Sequence, residues 1–167
     1  MSRKDILAYA KSKVGQSEDP TQGNNNDFKD EEFEKDLREL GWQPGYSWCM
    51  LFVRLAVKKG SPTIWAKVKK DITPSVMTTY NNLIKAGYTV TQTPTPGAIA
   101  FWQNGSKWQG HTGVVDDNGI TSTHFMCVEG NTDVQGSRDG GAVAIKKRAL
   151  DFKKKVKGLN LLGFIEL

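Results

Sequence analysis

The sequence predicts an α+β domain, with helices first and an antiparallel sheet after them. Three observations predict it. Up to about residue 86 the apolar residues recur at helical spacing, first at Ile6, Leu7, Ala10 and Val14, then at Phe28, Phe33, Leu37 and Leu40. The rigid turn Thr93-Pro94-Thr95-Pro96-Gly97 closes that half. Beyond it the period falls to two, in short runs bounded by turn residues. A chain of 167 residues is long enough to bury a real core, and residues 1–167 read as one domain.

In order, residues 3–14 form an amphipathic helix that Gly15 ends. A polar loop follows, and Asp27 is placed to cap a second helix that runs to Gly41. The chain turns at Pro44-Gly45, and a third helix opens at Cys49 and ends near Gly60-Ser61-Pro62. Its run Met50-Leu51-Phe52-Val53 through Val57 is apolar on nearly every side and breaks only at Arg54, the pattern of a helix buried on most faces. Residues 63–74 carry no decisive period. A helix is expected from about Ser75 to Ala86, on Val76, Tyr80, Leu83 and Ile84. Strands are expected near 98–103, 111–116, 120–129, 141–148 and 161–166, with Asp117-Asn118-Gly119 as a hairpin turn between the second and third. Residues 149–160 read as an irregular or helical connection.

Composition narrows the function classes. Hydrophobic content of 38% with 25% charged residues is ordinary for a globular domain. No apolar run approaches the ~18 residues of a membrane span. Met1-Ser2-Arg3-Lys4-Asp5 lacks the apolar core of a signal peptide, so synthesis in the cytoplasm is expected. Two cysteines, Cys49 and Cys127, make no disulfide framework. The net charge is +5, with basic residues gathered at Lys146-Lys147-Arg148 and Lys153-Lys154-Lys155. That balance suits a polyanion such as an anionic cell wall; the plainer reading is a solvated face. Aromatic residues do not interleave the basic run, which speaks against nucleic acid.

Cys49 is the candidate nucleophile. In the first turn of a helix, backbone N–H groups and the helix dipole favour thiolate over thiol. The bland alternative is a small buried hydrophobe. A cysteine nucleophile needs a base and a group that orients the base. Only His111 and His124 are histidines. On an unbroken strand His124 faces away from Phe125, Cys127 and Glu129. His111 begins the neighbouring strand, and a tight hairpin at 117–119 sets it opposite residue 125 to 127. That falls short of Glu129, a mismatch that a bulge at Gly113 or Gly130 would absorb. In this scheme His111 takes the thiol proton, and Glu129 or Asn131 accepts the other ring N–H. The oxyanion of an attacked amide would be held by the Cys49 backbone N–H and a second donor. Tyr46, Ser47 and Trp48 are the candidates there and for substrate contact. Zinc on His111, His124, Cys127 and Cys49 is disfavoured, because His124 and Cys127 split across a strand. Calcium in the polar loop 17–30 is weighed against a plain loop, and the plain loop is preferred. No metal or cofactor is expected, and Cys127 reads as packing.

Four pieces in order resemble the CHAP domain, a cysteine- and histidine-dependent amidohydrolase/peptidase of the papain-like NlpC/P60 group. They are Pro44-Gly45-Tyr46-Ser47-Trp48-Cys49, Pro96-Gly97-Ala98-Ile99-Ala100-Phe101-Trp102, Gly110-His111-Thr112-Gly113-Val114-Val115 and Val128-Glu129-Gly130-Asn131. Val14-Gly15-Gln16 through Glu18, with Asn24, is similar to the N-terminal segment of phage and prophage members. Met50 departs from the small residue usual after Trp-Cys. The resemblance implies helices packed on an antiparallel, partly barrel-like sheet of five to six strands. It implies peptidoglycan hydrolysis, at the N-acetylmuramoyl-L-alanine amide or at a stem or cross-bridge peptide bond, through a cysteine thioester. Cys49, His111, Glu129 and Asn131 take the family's catalytic positions. A monomer acting at the bacterial cell wall is expected, delivered by holin, virion or secretion machinery, with an immunity protein as a further partner. The other readings are a non-catalytic wall-binding module on this fold and an intracellular thiol acyltransferase or protease.

Overall fold

A computed structural model describes residues 2–132 and 140–167. Five helices precede the main strands: α1 (Arg3–Ser12), α2 (Glu31–Arg38), α3 (Cys49–Gly60), α4 (Pro62–Val68) and α5 (Val76–Lys85). The strands are β1 (Val90–Thr91), β2 (Ile99–Asn104), β3 (Gly110–Val115), β4 (His124–Thr132), β5 (Ala142–Ala149) and β6 (Leu159–Ile165). They form one antiparallel sheet in the order β1-β6-β2-β3-β4-β5. The predicted α+β class holds. No helix among the described residues is long and apolar enough to cross a membrane.

Helix α3 is the centre of the packing. Its residues Met50 to Val53 and Leu55 to Val57 are all buried, as the apolar run requires. They join Ile6 and Leu7 of α1, Phe33 and Leu37 of α2, and Phe101, Val114 and Val128 from one face of the sheet. A second cluster of Trp102, Phe125, Cys127 and Phe164 covers the opposite face. In front of α3, Phe28, Phe33, Trp42 and Trp48 pack edge to face with ring centroids 5.0–5.9 Å apart. The Trp48 indole N–H donates to the buried Glu18 carboxylate at 2.5 Å, which fixes where α3 begins.

Several expectations are corrected. The cap of α2 is Asp30, whose carboxylate accepts from the Phe33 N–H at 2.9 Å, while Phe28 lies before the helix in a bridge to Glu18. Residues 62–68 are helical, with Pro62 in the first turn where its missing N–H costs nothing. Strand β1 is only two residues long, too short for any alternation to reveal. The connection after β3 is not a tight turn at 117–119. It runs from Asp116 to Thr123, and the Lys11 ammonium of α1 meets Asp116 at 2.9 Å and Asp117 at 2.8 Å where it begins. The longer loop sets the register: Val114 stands opposite Val128 and Val115 opposite Cys127. Continued along the strands, this places His111 across from Asn131, several residues beyond the position a tight hairpin gives. The irregularity in β4 lies between Glu129 and Thr132, against β5, where Asn131 takes a left-handed backbone with φ 53°.

Candidate active site

Cys49 is the first residue of α3, with Gly45 at φ 90° making the turn that leads into it. No side chain caps this end of the helix, and its first turn carries no acidic residue. The first-turn N–H groups and the positive end of the dipole therefore face whatever lies at Cys49. Cys49 is 7% exposed and forms part of the wall of a groove of about 420 Å³. Tyr46, Ser47, Val76, Trp108 and Gly110 line it as well. Tyr46 and Trp108 are well exposed at its rim.

The sheet supplies the candidate base. His111 is buried and is hydrogen-bonded to Glu129, with Cys49 near enough to act on its charge. Its Nε2 meets Glu129 Oε2 at 2.6 Å, which leaves Nδ1 as the ring nitrogen for the sulfur. His111 stands opposite Trp102 of β2, with ring centroids 5.9 Å apart. His111 and Glu129 are diagonal neighbours on one face of the β3–β4 pair. The residue between them, Gly113, has no side chain for a reason: a Cβ there would sit 2.7 Å from Glu129 Cγ and 2.7 Å from Cys127 Sγ. Gly130 does the same toward the helices, where a Cβ would meet Phe52 Cβ at 2.6 Å and Trp48 at 2.7 Å. The two glycines let β4 approach both β3 and the first turn of α3.

The electrostatics follow from burial and pairing. Burial alone lowers the His111 pKa, but the Glu129 charge, the nearby Cys49 and the hydrogen bond to Glu129 outweigh it and push it up to about 9. Burial alone would raise the Glu129 carboxyl. Hydrogen bonds from Arg148 and the charge of His111 win, and hold it below its ordinary value. At neutral pH this is a buried imidazolium on a buried carboxylate, with Cys49 on the side of the other ring nitrogen.

Of the residues singled out in the sequence, Cys49, His111 and Glu129 come together in one connected set. Asn131 is buried two residues beyond Glu129, and the hydrogen bond to His111 Nε2 belongs to Glu129. Tyr46 and Ser47 line the groove, but Trp48 does not: it is fully buried in the aromatic cluster, a structural residue. His124 faces elsewhere, with its Nδ1 2.9 Å from the Thr121 hydroxyl. Cys127 is buried, and burial followed by the Glu129 charge pushes its thiol well up. Among the described residues no group of three His, Cys, Asp or Glu side chains is placed to hold a metal ion. Sequence reasoning missed Arg148, which belongs to the site and not to a solvated basic run. Its Nε donates to Glu129 Oε1 at 2.7 Å and its Nη2 to Oε2 at 2.5 Å. Strand parity held the clue. Arg148 pairs with Phe125 across β4, so it shares the buried face of Phe125, Cys127 and Glu129.

Residues 41–131 match the family model described as the CHAP domain. No curated protein matches the chain. Among solved structures, the fold is similar to that of a wild type endolysin, LysIME-EF1, at 17% identity and a TM-score of 0.55. The match covers 99% of this chain and 64% of the endolysin chain, so the present chain spans less than two thirds of that protein's length.

Proposed function

The chain belongs to the CHAP domain family, and from that premise we propose that it is a peptidoglycan hydrolase, a single catalytic domain that cuts an amide bond through a thioester on Cys49. The observation that carries this reading is the connected set Cys49–His111–Glu129 at the wall of an open groove. The likeness to an endolysin agrees with it.

In the proposed reaction, the Cys49 thiolate attacks the amide carbonyl while His111 stands protonated on Nδ1. The tetrahedral oxyanion is met by the Cys49 backbone N–H at the uncapped end of α3. The C–N bond breaks as the imidazolium gives its proton to the departing amine, which leaves a thioester. Neutral His111 then takes a proton from water, and the hydroxide attacks the thioester. Collapse of that intermediate frees the acid and restores the thiolate–imidazolium pair. Glu129 holds the ring in place through both halves. The protein acts at the bacterial cell wall in this reading, delivered there by virion, holin or secretion machinery.

Incubation of the purified protein with intact sacculi tests the reading. Wild type should release soluble fragments, and both Cys49→Ala and His111→Ala should lower the rate by a factor on the order of 10⁴ or more, since nucleophile and base act as a unit. Mass spectrometry names the bond. An amidase leaves a free L-alanine amine and an unsubstituted muramic acid; an endopeptidase leaves a new amine within stem or bridge. Release that survives in Cys49→Ala sinks the proposal, and binding without release by wild type makes the domain a wall-binding module.

A further inference from the structure

Glu129 is fully buried and carries more than one partner. Oε2 is shared between His111 Nε2 at 2.6 Å and Arg148 Nη2 at 2.5 Å, and Oε1 accepts from Arg148 Nε at 2.7 Å. The Arg148 guanidinium lies over the Trp102 ring, 5.5 Å from its centroid, and the same ring packs beside His111. Arg148 is thus held from two sides by groups that also touch the base. We propose that Arg148 is a positioning residue for the reaction: its fork grips both carboxylate oxygens of Glu129 and thereby aims Glu129 at His111. The proposal rests on the reading of Cys49 and His111 as reacting groups.

Three physical points carry it. A carboxylate held at one oxygen can swing about its terminal torsion, whereas a two-point grip by a planar guanidinium fixes the plane. A buried carboxylate whose sole cation is an imidazolium can draw the proton off that ring and leave a neutral pair. A second, permanent cation removes the incentive. Lysine supplies a point charge without the fork, so the two contributions are separable. In this proposal the effect of Arg148 on the reaction passes through Glu129, which gives the role a signature.

The test is a double-mutant cycle on a soluble muropeptide, read as kcat, KM and the pH profile. Arg148→Met should lower kcat roughly 10- to 100-fold with little change in KM. In a Glu129→Gln background the same substitution should cost less than about threefold, because the link is already cut. Arg148→Lys should recover part of the loss. In Cys49→Ala protein, the proton resonances of the His111 ring should titrate at a different pH once Arg148→Met is added, a readout independent of turnover. If Arg148→Met does not fold, Arg148→Lys is carried through the same cycle. Equal losses in the two backgrounds, or an unmoved His111 titration, would overturn the role of Arg148. Full turnover by Cys49→Ala would instead overturn the hydrolase reading itself.

Discussion

On one buried carboxylate, Glu129, an imidazole from β3 and a guanidinium from β5 converge. The imidazolium is favoured in the folded protein, since the His111 pKa rises from 6.5 to about 9. Its contribution to stability is therefore complete below pH 6.5 and is lost as pH climbs through about 9. In the proposed reaction the same proton is handed to the departing amine, so turnover should fall along an alkaline limb near pH 9. Glu129→Gln removes the charge that raises His111, and that limb should move down toward the ordinary imidazole range near 6.5. A pH–rate profile of both proteins checks it; an unmoved limb would mean that His111 does not set it. At this scale the cysteine and the histidine were legible, because a Pro-Gly turn before an apolar helix and a strand-initial histidine are local signals. Arg148 was not, because its lysine neighbours make it look solvated until strand parity is applied.

Among the elements, the meeting of α3 with β4 bears on how near Cys49 stands to His111 and Glu129. Gly130 makes that meeting close, with Phe52 and Trp48 pressed where a side chain would stand. Gly130→Ala should cost about 1–3 kcal/mol through overpacking and should also push β4 off the first turn of α3, with a marked loss of turnover. Asp30→Ala is the matched control. It removes the cap of α2, away from the groove, and should cost about 0.5–2 kcal/mol while turnover per folded molecule stays near wild type. Thermal unfolding and sacculus release measure both. If Gly130→Ala loses stability yet keeps its rate, the close approach serves packing alone. Helices α1, α2, α3 and α5 were legible because apolar spacing is written locally; α4 was not, and the cap of α2 lies three residues beyond the expected Asp27. The β3–β4 register was not, because the connection runs from Asp116 to Thr123 and does not use the tight turn that Asp-Asn-Gly advertises.

For the whole molecule, the balance of charge is +5, with Lys153, Lys154, Lys155 and Lys157 exposed on the stretch before β6. If this surface meets an anionic wall, retention of Cys49→Ala on sacculi should fall between 0.1 and 1 M salt, as the screening length shrinks from about 10 to about 3 Å. Cleavage of an uncharged soluble substrate should hardly change. Retention indifferent to salt would assign those lysines to solubility. The α+β plan was legible from the change of period after Pro96, but the order of strands was not, since β6 enters the sheet between β1 and β2. That insertion has a bearing on biosynthesis. A nascent chain on the ribosome holds the nucleophile, the base and the carboxylate well before the codons for 159–165 have been read. Until that stretch emerges, one side of β2 stays bare and open to pairing with a neighbouring polypeptide. Translation of the site residues therefore runs ahead of completion of the sheet that frames them.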